Sequence, residues 1–377
     1  MASRNRVIYQ SEGLYVSRDA SDTGSGDHVQ LTRIQSANYS YTINRQDVNQ
    51  YGELARIDSL VLEPPTVNVD FSYYLTDGFN ERALDFHVET GTGDGGSDAT
   101  HVTGNFASGH LSEGSGVNIY VATTPAGIDL NKGEKFDHTD KIIGIGNCYL
   151  TDYSIDLSVG SLPTASVSME GANVAASIGS SIVNPAVNQA DGTQFTSNAV
   201  GLPTGLSNAS GQTIKALRPG DITLDLTGFD GETISDLTAT TGIHVQSATI
   251  SIPLSRTPLD RLGSTFAYAR SVDFPVVSTL SVSALMNETD AVNLSTKLAA
   301  PERNVTITMK DSSDVPALIW GFSGALVESE SWSSSIGSNK SVDLTFSTQI
   351  GGPEDLDDGV FLSGVGTGKV FDPPVEA

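Results

Sequence analysis

The chain has one cysteine, Cys148, among 377 residues. A lone thiol excludes an intrachain disulfide framework and any multi-cysteine metal site, and its expected role is that of a small buried hydrophobe. Cationic side chains are scarce as well. The 20 Lys and Arg stand against 45 Asp and Glu, a formal net charge of −25. Such a surface repels phosphates, which argues against groove reading of DNA or RNA. A wall that nucleic acid must slide past without sticking should also be acidic or neutral. Long apolar runs are missing, and the segment MASRNRVIYQSEGLYVS has no apolar signal core. Those two absences give the expectation of a protein made and assembled in a cytoplasm, with no membrane partner.

Catalytic patterns are missing too. GTGDGG (91–96) meets the G-x-G-x-x-G spacing, but it lacks the strand-to-helix context that aims a helix N-terminus at a pyrophosphate. GVGTGK (364–369) has the wrong P-loop spacing, and Val370 stands where a hydroxyl is needed. DLNKGEKFDHTD (129–140) places its glycine one position early for a calcium loop and lacks the closing Glu. His28, His87, His101, His110 and His138 have no partner at helical or H-x-H spacing. Cys148 beside His138 has no orienting third group. The expectation is no enzyme, no metal and no cofactor.

What the chain does have is glycine (38 residues), apolar residues at 38 per cent and a mean hydropathy of −0.10. Short alternating stretches between Ser, Thr and Gly clusters favour a folded, β-rich protein. It also has an internal echo. RIQSANYSYTINRQDVNQYG (33–52) returns as HVQSATISIPLSRTPLDRLG (244–263). Residues 34–75 laid over 245–286, at a constant offset of 211, are identical at nine of 42 positions. Residue usage alone would give about two or three. The alternation also agrees in phase. Ser36, Asn38, Ser40 and Thr42 are polar on one strand, and Ser247, Thr249 and Ser251 fall on the same side of the other. A one-residue slip would invert every side chain, so shared phase is a stringent match.

A second echo follows at an offset of 177, where YSIDLSVGSLPTASVSMEG (153–171) matches ESWSSSIGSNKSVDLTFST (330–348), each reading as a hairpin about a glycine. The shorter offset leaves extra residues in the first copy, with 86–111 as the Gly-rich insertion. Short helices are expected at 77–84, opened by Asp77, and at 289–298, opened by Thr289. The organisation read from sequence is then a first β-rich domain over 1–174 and a neutral Ser/Asn/Ala/Gly linker or arm over 175–211. A second, related domain follows over 212–350, with an acidic, Pro-containing tail over 351–377.

The blocks SANYSYTINRQDVNQYG, PTVNVDFSYY and CYLTDYSIDLSVGSLPTASVSMEG resemble the major tail tube proteins of long-tailed bacteriophages. The resemblance covers the first copy well and the second by pattern. It implies two tandem β-sandwich or rolled-barrel domains, each with a short helix, that contribute strands to an oligomeric β-barrel tube. Three duplicated chains would make a pseudo-hexameric ring, and rings would stack into the conduit for DNA in the virion tail. Implied partners are further copies of the chain, tape-measure, tail-tip and terminator proteins, and passing DNA without sequence-specific binding.

The strands support this independently, because four amphipathic strands per copy would give three chains twenty-four for a closed barrel without edges. On that reading the wall of the lumen is formed by Ser36, Asn38, Ser40, Thr42, Asn68, Asp70, Ser72, Asp156, Ser158, Ser166 and Glu170. The second copy adds Ser247, Thr249, Ser251, Ser281 and Asp343. Ring stacking would use the loops carrying Arg45, Asp47, Tyr51 and Gly52, and Arg256, Asp260 and Gly263. The alternatives are a single-ring tail component of the same fold, such as a distal tail or tail-tip protein, and a carbohydrate-binding β-sandwich adhesin, which would display clustered exposed aromatics.

Overall fold

A computed structural model describes residues 12–18, 28–61, 65–90, 104–111, 116–123, 141–178, 182–188, 192–195, 199–200, 202, 217, 222–225, 243–263, 266–286, 302–310, 316–334, 341–353, 355 and 357–364. The chain is mainly β and its strand pairings are almost all antiparallel. β1 (Glu12–Ser17), β2 (His28–Gln30) and β3 (Ile34–Thr42) are followed by a hairpin of β4 (Arg45–Val48) and β5 (Asp58–Val61). β6 (Thr66–Tyr74) leads into the helix α1 (Phe79–Ala83), then β7 (Glu89–Thr90), β8 (Val117–Thr123), β9 (Lys141–Ser158), β10 (Thr164–Gly171) and β11 (Asn173–Ile178). β12 (Ile182–Val183) and β13 (Ala199–Val200) form a small ribbon before β14 (Ile222–Asp225). The remainder is β15 (Ile243–Pro253), the hairpin of β16 (Arg256–Leu259) and β17 (Ala269–Val272), β18 (Val276–Met286), β19 (Arg303–Lys310), β20 (Pro316–Ser333), β21 (Ser341–Ile350) and β22 (Gly359–Gly364).

The principal sheet is an eight-strand stretch of a 16-stranded system, in the order β3-β6-β10-β9-β15-β18-β21-β20, and the first part of β20 continues it to β19 and β14. The period-two pattern explains why they form it. In β6, Val67, Val69, Phe71 and Tyr73 are buried while Asn68 and Asp70 are exposed. β9 and β20 are each 18 residues long, and each serves two neighbourhoods. Residues 141–148 of β9 pair with β8 and β11, whereas its later residues pair with β10 and β15. The strands do not close into a barrel within one chain.

Pairings in the first part of the chain recur later, bulges included. The β3–β6 register shifts between Ile34 and Ser36, and β15–β18 shifts between Val245 and Ser247, 211 residues on. The β10–β9 register shifts between Ser168 and Met169. The extra residue there is Thr151 of β9, and β21–β20 has its own at Glu328 of β20, the same place at an offset of 177. The β8–β9 pair skips a residue after Val117, and β19–β20 does so after Arg303. The hairpins β4–β5 and β16–β17 have the same ranges at the offset of 211.

One core runs through both parts. Trp320, fully buried, packs its ring 4.7 Å from Phe106 and 6.0 Å from Tyr153. Glu81, in α1, is buried and accepts hydrogen bonds from the hydroxyls of Tyr73 (2.9 Å) and Tyr153 (3.0 Å). Burial raises the Glu81 carboxyl above its ordinary value. The helix expected over 77–84 is a single turn. Gly78, in the left-handed region, occupies its N-cap, and Asp77 Oδ1 accepts the amide of Phe79 at 3.3 Å. The expected helix at 289–298, the calcium-like loop at 129–140 and the glycines at 91–96 lie outside the described residues. Strand β11 spans residues 174 and 175, β22 falls within 351–377, and Phe86, Phe106 and Leu111 of the 86–111 stretch are buried.

Candidate functional site: a polar sheet face and two hairpin arms

Adjacent strands in register place the polar residues of the principal sheet on one face. One row runs Ser36, Ser72, Ser166, Ser154, Ser251, Thr279 and Ser347 across seven strands. A neighbouring row carries Asn38, Asp70, Ser168 and Asp152, and a third carries Asp156, Thr249, Ser281 and Thr345. Ser40, Asn68 and Glu170 lie beside one another, as do Thr42 and Thr66. Ser158, Ser247, Ser283, Asp343 and Ser331 complete the set. All sixteen residues expected to line a lumen therefore share this face. Among the described residues of these eight strands the one Lys or Arg is Lys141 of β9, in the stretch that pairs with β8 and β11 and outside these rows.

The hydroxyls hold one another in place. Ser36 and Ser72 Oγ are 2.7 Å apart, Ser168 Oγ donates to Asp70 at 2.7 Å, and Ser333 and Ser341 Oγ are 2.6 Å apart. Short side chains locked in this way give a smooth surface with few long rotamers to order. Glu170 differs from the rest because it forms an ion pair with Arg270 of β17.

The two arms have the same frame. Ile57 N donates to Val48 O at 2.9 Å, and Tyr268 N donates to Leu259 O at 3.0 Å, 211 residues later. Gly52 (φ +92°) and Gly263 (φ +88°) turn the tips in the left-handed region. Tyr51 and Leu262 are the residues before them, and both project fully into solvent. Asp47 and Arg56 pair at 3.0 Å along the first arm.

The roots differ. Arg45, with the whole of β4, is exposed. Arg256 instead packs onto the first part of the chain. Its Nε donates to Leu150 O at 3.2 Å, its Nη1 to Arg270 O at 3.1 Å and its Nη2 to His110 O, and its guanidinium sits 5.1 Å from the Tyr149 ring centroid. Burial lowers its pKa to about 10, which leaves it charged at neutral pH. Arg256 is thus a root anchor inside the chain, whereas Asp260 and Gly263 lie at the tip. The buried His110 is pushed down to about 3 by desolvation and then by Arg256, so it is neutral. Cys148 is buried, its thiol is pushed up to about 12 by desolvation, and it bonds the Ile145 carbonyl at 3.5 Å. It lacks the thiolate character of a nucleophile.

No family model and no curated protein matches the chain. Among solved structures, it is similar to a component of the anti-feeding prophage baseplate, determined by cryo-electron microscopy with sixfold symmetry. That match has 14% identity and a TM-score of 0.22, over 33% of this chain and 80% of the other. A likeness of that size leaves the functional reading to the chain's own residues.

Some residues at this site carry no motif in the sequence. Tyr39, Tyr41, Trp332 and Leu326 are exposed along the two outer strands of the principal sheet. Leu54 and Leu262 are exposed on the arms. Leu262 was recoverable, since it stands 211 residues after Tyr51. Trp332 could not be read as exposed from alternation, because its pattern is that of a half-buried strand. Among the described residues, no helix is long and apolar enough to cross a membrane, and no group of three His, Cys, Asp or Glu is arranged to hold a metal ion.

Proposed function

We propose that the chain is a structural subunit of a phage tail and not an enzyme. Three copies close into a ring, and rings stack into a tube that conducts DNA. The halves 12–178 and 222–364 act as a fused pair of tube units, so three chains supply twenty-four strands. The observation that carries this reading is the eight-stranded antiparallel stretch of sheet with one mostly polar face, where Arg270, brought by the second arm, is neutralised by Glu170. A face of hydroxyls, amides and a few carboxylates offers DNA no phosphate traps, because counterion release needs cations on the protein. Barrel closure would remove the two outer edges of the sheet. The recurring registers and the sequence resemblance to tail tube proteins point the same way.

In this reading the arms carry ring-to-ring contacts, with Tyr51 and Leu262 as apolar tips. Tape-measure protein would occupy the lumen before DNA, and tail-tip and terminator proteins would cap the stack. Cryo-electron microscopy of the purified, assembled protein tests it. The expected particle is a threefold ring with six similar lobes, stacked axially, with Ser72, Ser166 and Ser251 facing the channel. Single rings that never stack would favour a distal-tail type of component. A polar face on the outside of the particle would overturn the proposal.

A further inference from the structure

Within one chain, β15 completes the first half's part of the sheet by pairing with the end of β9. Thr249 faces Asp156, Ile250 faces Ile155 and Ser251 faces Ser154. The second half has the corresponding strand, residues 326–333 of β20, with β21 along one side. β3, the counterpart of β15, has β6 along one side. Among the described residues no strand lies along the far side of either. The chain thus contains one complete joint between halves and the two separated sides of another.

We propose that β3 of one copy pairs antiparallel with residues 329–334 of β20 in a second copy, in the register that β15 adopts on β9. Carrying the offsets of 211 and 177 across places Asn38 opposite Ser333, Tyr39 opposite Trp332, Ser40 opposite Ser331 and Tyr41 opposite Glu330. This rests on the ring reading above and supplies its joint.

Three observations favour that occupant. Tyr39 and Trp332 are 41% and 39% exposed, yet their counterparts in the internal joint, Ile250 and Ile155, are fully buried. An aromatic cross-strand pair in that position would bury both rings. Residues 34–43 (IQSANYSYTI) contain no charge and no proline. Soluble proteins normally blunt a free edge with such residues, so this edge is built to be covered. Charge also fits. The internal joint seats Arg256 against Leu150, and the same offsets bring its counterpart, Arg45, to Val327, directly before Glu328 and three positions before Glu330.

Paired cysteines test the register on the full chain. Directly opposed residues have Cα atoms about 4.5–5.5 Å apart, within disulfide reach, whereas a two-residue slip puts them beyond about 7 Å. The variant S40C/S331C should give covalent dimers and trimers on oxidation and non-reducing electrophoresis, and S40C/S333C should not. Buried Cys148 leaves the background low. Faster cross-linking in S40C/S333C overturns the register. Assembled rings in which neither pair cross-links overturn the β3–β20 joint and leave the ring reading standing. Cross-linked closed trimers that never stack uphold the joint while the tube reading fails. Tyr39→Asp is the companion variant, since its side chain is already exposed in the single chain. Below the assembly concentration it should keep an unchanged melting curve, and it should raise the concentration needed for assembly by roughly tenfold or more. Unaltered assembly would count against the joint.

Discussion

Residues 34–61 and 245–272 are built alike and live in different surroundings. Each is a strand with a bulge near its start, a hairpin arm and a glycine-turned tip with an apolar residue before it. Yet β3 is exposed along almost its whole length, while Ala248, Ile250, Ile252 and Leu254 are buried. The difference lies in the neighbour. β15 has β9 on its outer side, and Leu254 N donates to Thr151 O at 2.9 Å where the arm begins. Burial at these positions is a property of where the strand sits in the sheet. The alternation only decides which side chains would be buried once something arrives.

The largest expected contrast comes from placing a carboxylate at the matched position of each strand. Ile250→Asp removes a fully buried side chain and leaves a charge facing Ile155, so the isolated chain should lose about 3–5 kcal/mol. Tyr39→Asp should change the stability of the isolated chain by less than about 0.5 kcal/mol. Urea denaturation at a concentration below assembly reads both. Equal losses would mean that β3 is packed within one chain after all.

A smaller contrast sits at the arm roots. Arg256→Ala removes donors to the carbonyls of Leu150, Arg270 and His110 and the cation over Tyr149. A loss of about 1–3 kcal/mol follows, since those carbonyls are left in a half-buried setting. Arg45→Ala should leave the isolated chain unaffected and weaken assembly. Equal stability loss in both variants would erase the distinction between the roots, and no loss in either would show that the anchor at Arg256 is idle.

Much of this architecture was legible in the chain. Alternation gave the faces of β3, β6, β10, β15, β18 and β21, and constant offsets gave the correspondence of the two arms, because both signals are local and periodic. The joint between β9 and β15 was not legible. It links residues nearly a hundred apart, and nothing in the alternation of either strand names the partner. Arg256 shows the same limit. By position it reads as a loop residue like Arg45, but its anchors come from segments 106 and 146 residues away. β22 was hidden for a different reason. The acidic stretch before it made 351–377 read as a tail, and Val360, Phe361 and Leu362 within it are buried beside β20. Glu81 also broke the usual rule that carboxylates stay outside, because Tyr73 and Tyr153 supply its hydrogen bonds in the core.

The smallest expected effect is a null difference, and it sharpens the comparison from the other end. Gly52 and Gly263 have nearly the same positive φ, and a Cβ added at either would meet nothing within 4 Å. Strain from the left-handed backbone is then the only penalty, about 1 kcal/mol for Ala at each tip. Gly52→Ala and Gly263→Ala should therefore destabilise the isolated chain by the same amount, within about 0.5 kcal/mol. The tips would behave as equivalents while the roots do not, which locates the asymmetry at the sheet edge and not in the arms. A markedly larger loss for Gly263→Ala would place part of the second arm's tip in contact with the body, and the contrast between the halves would then extend along the whole hairpin.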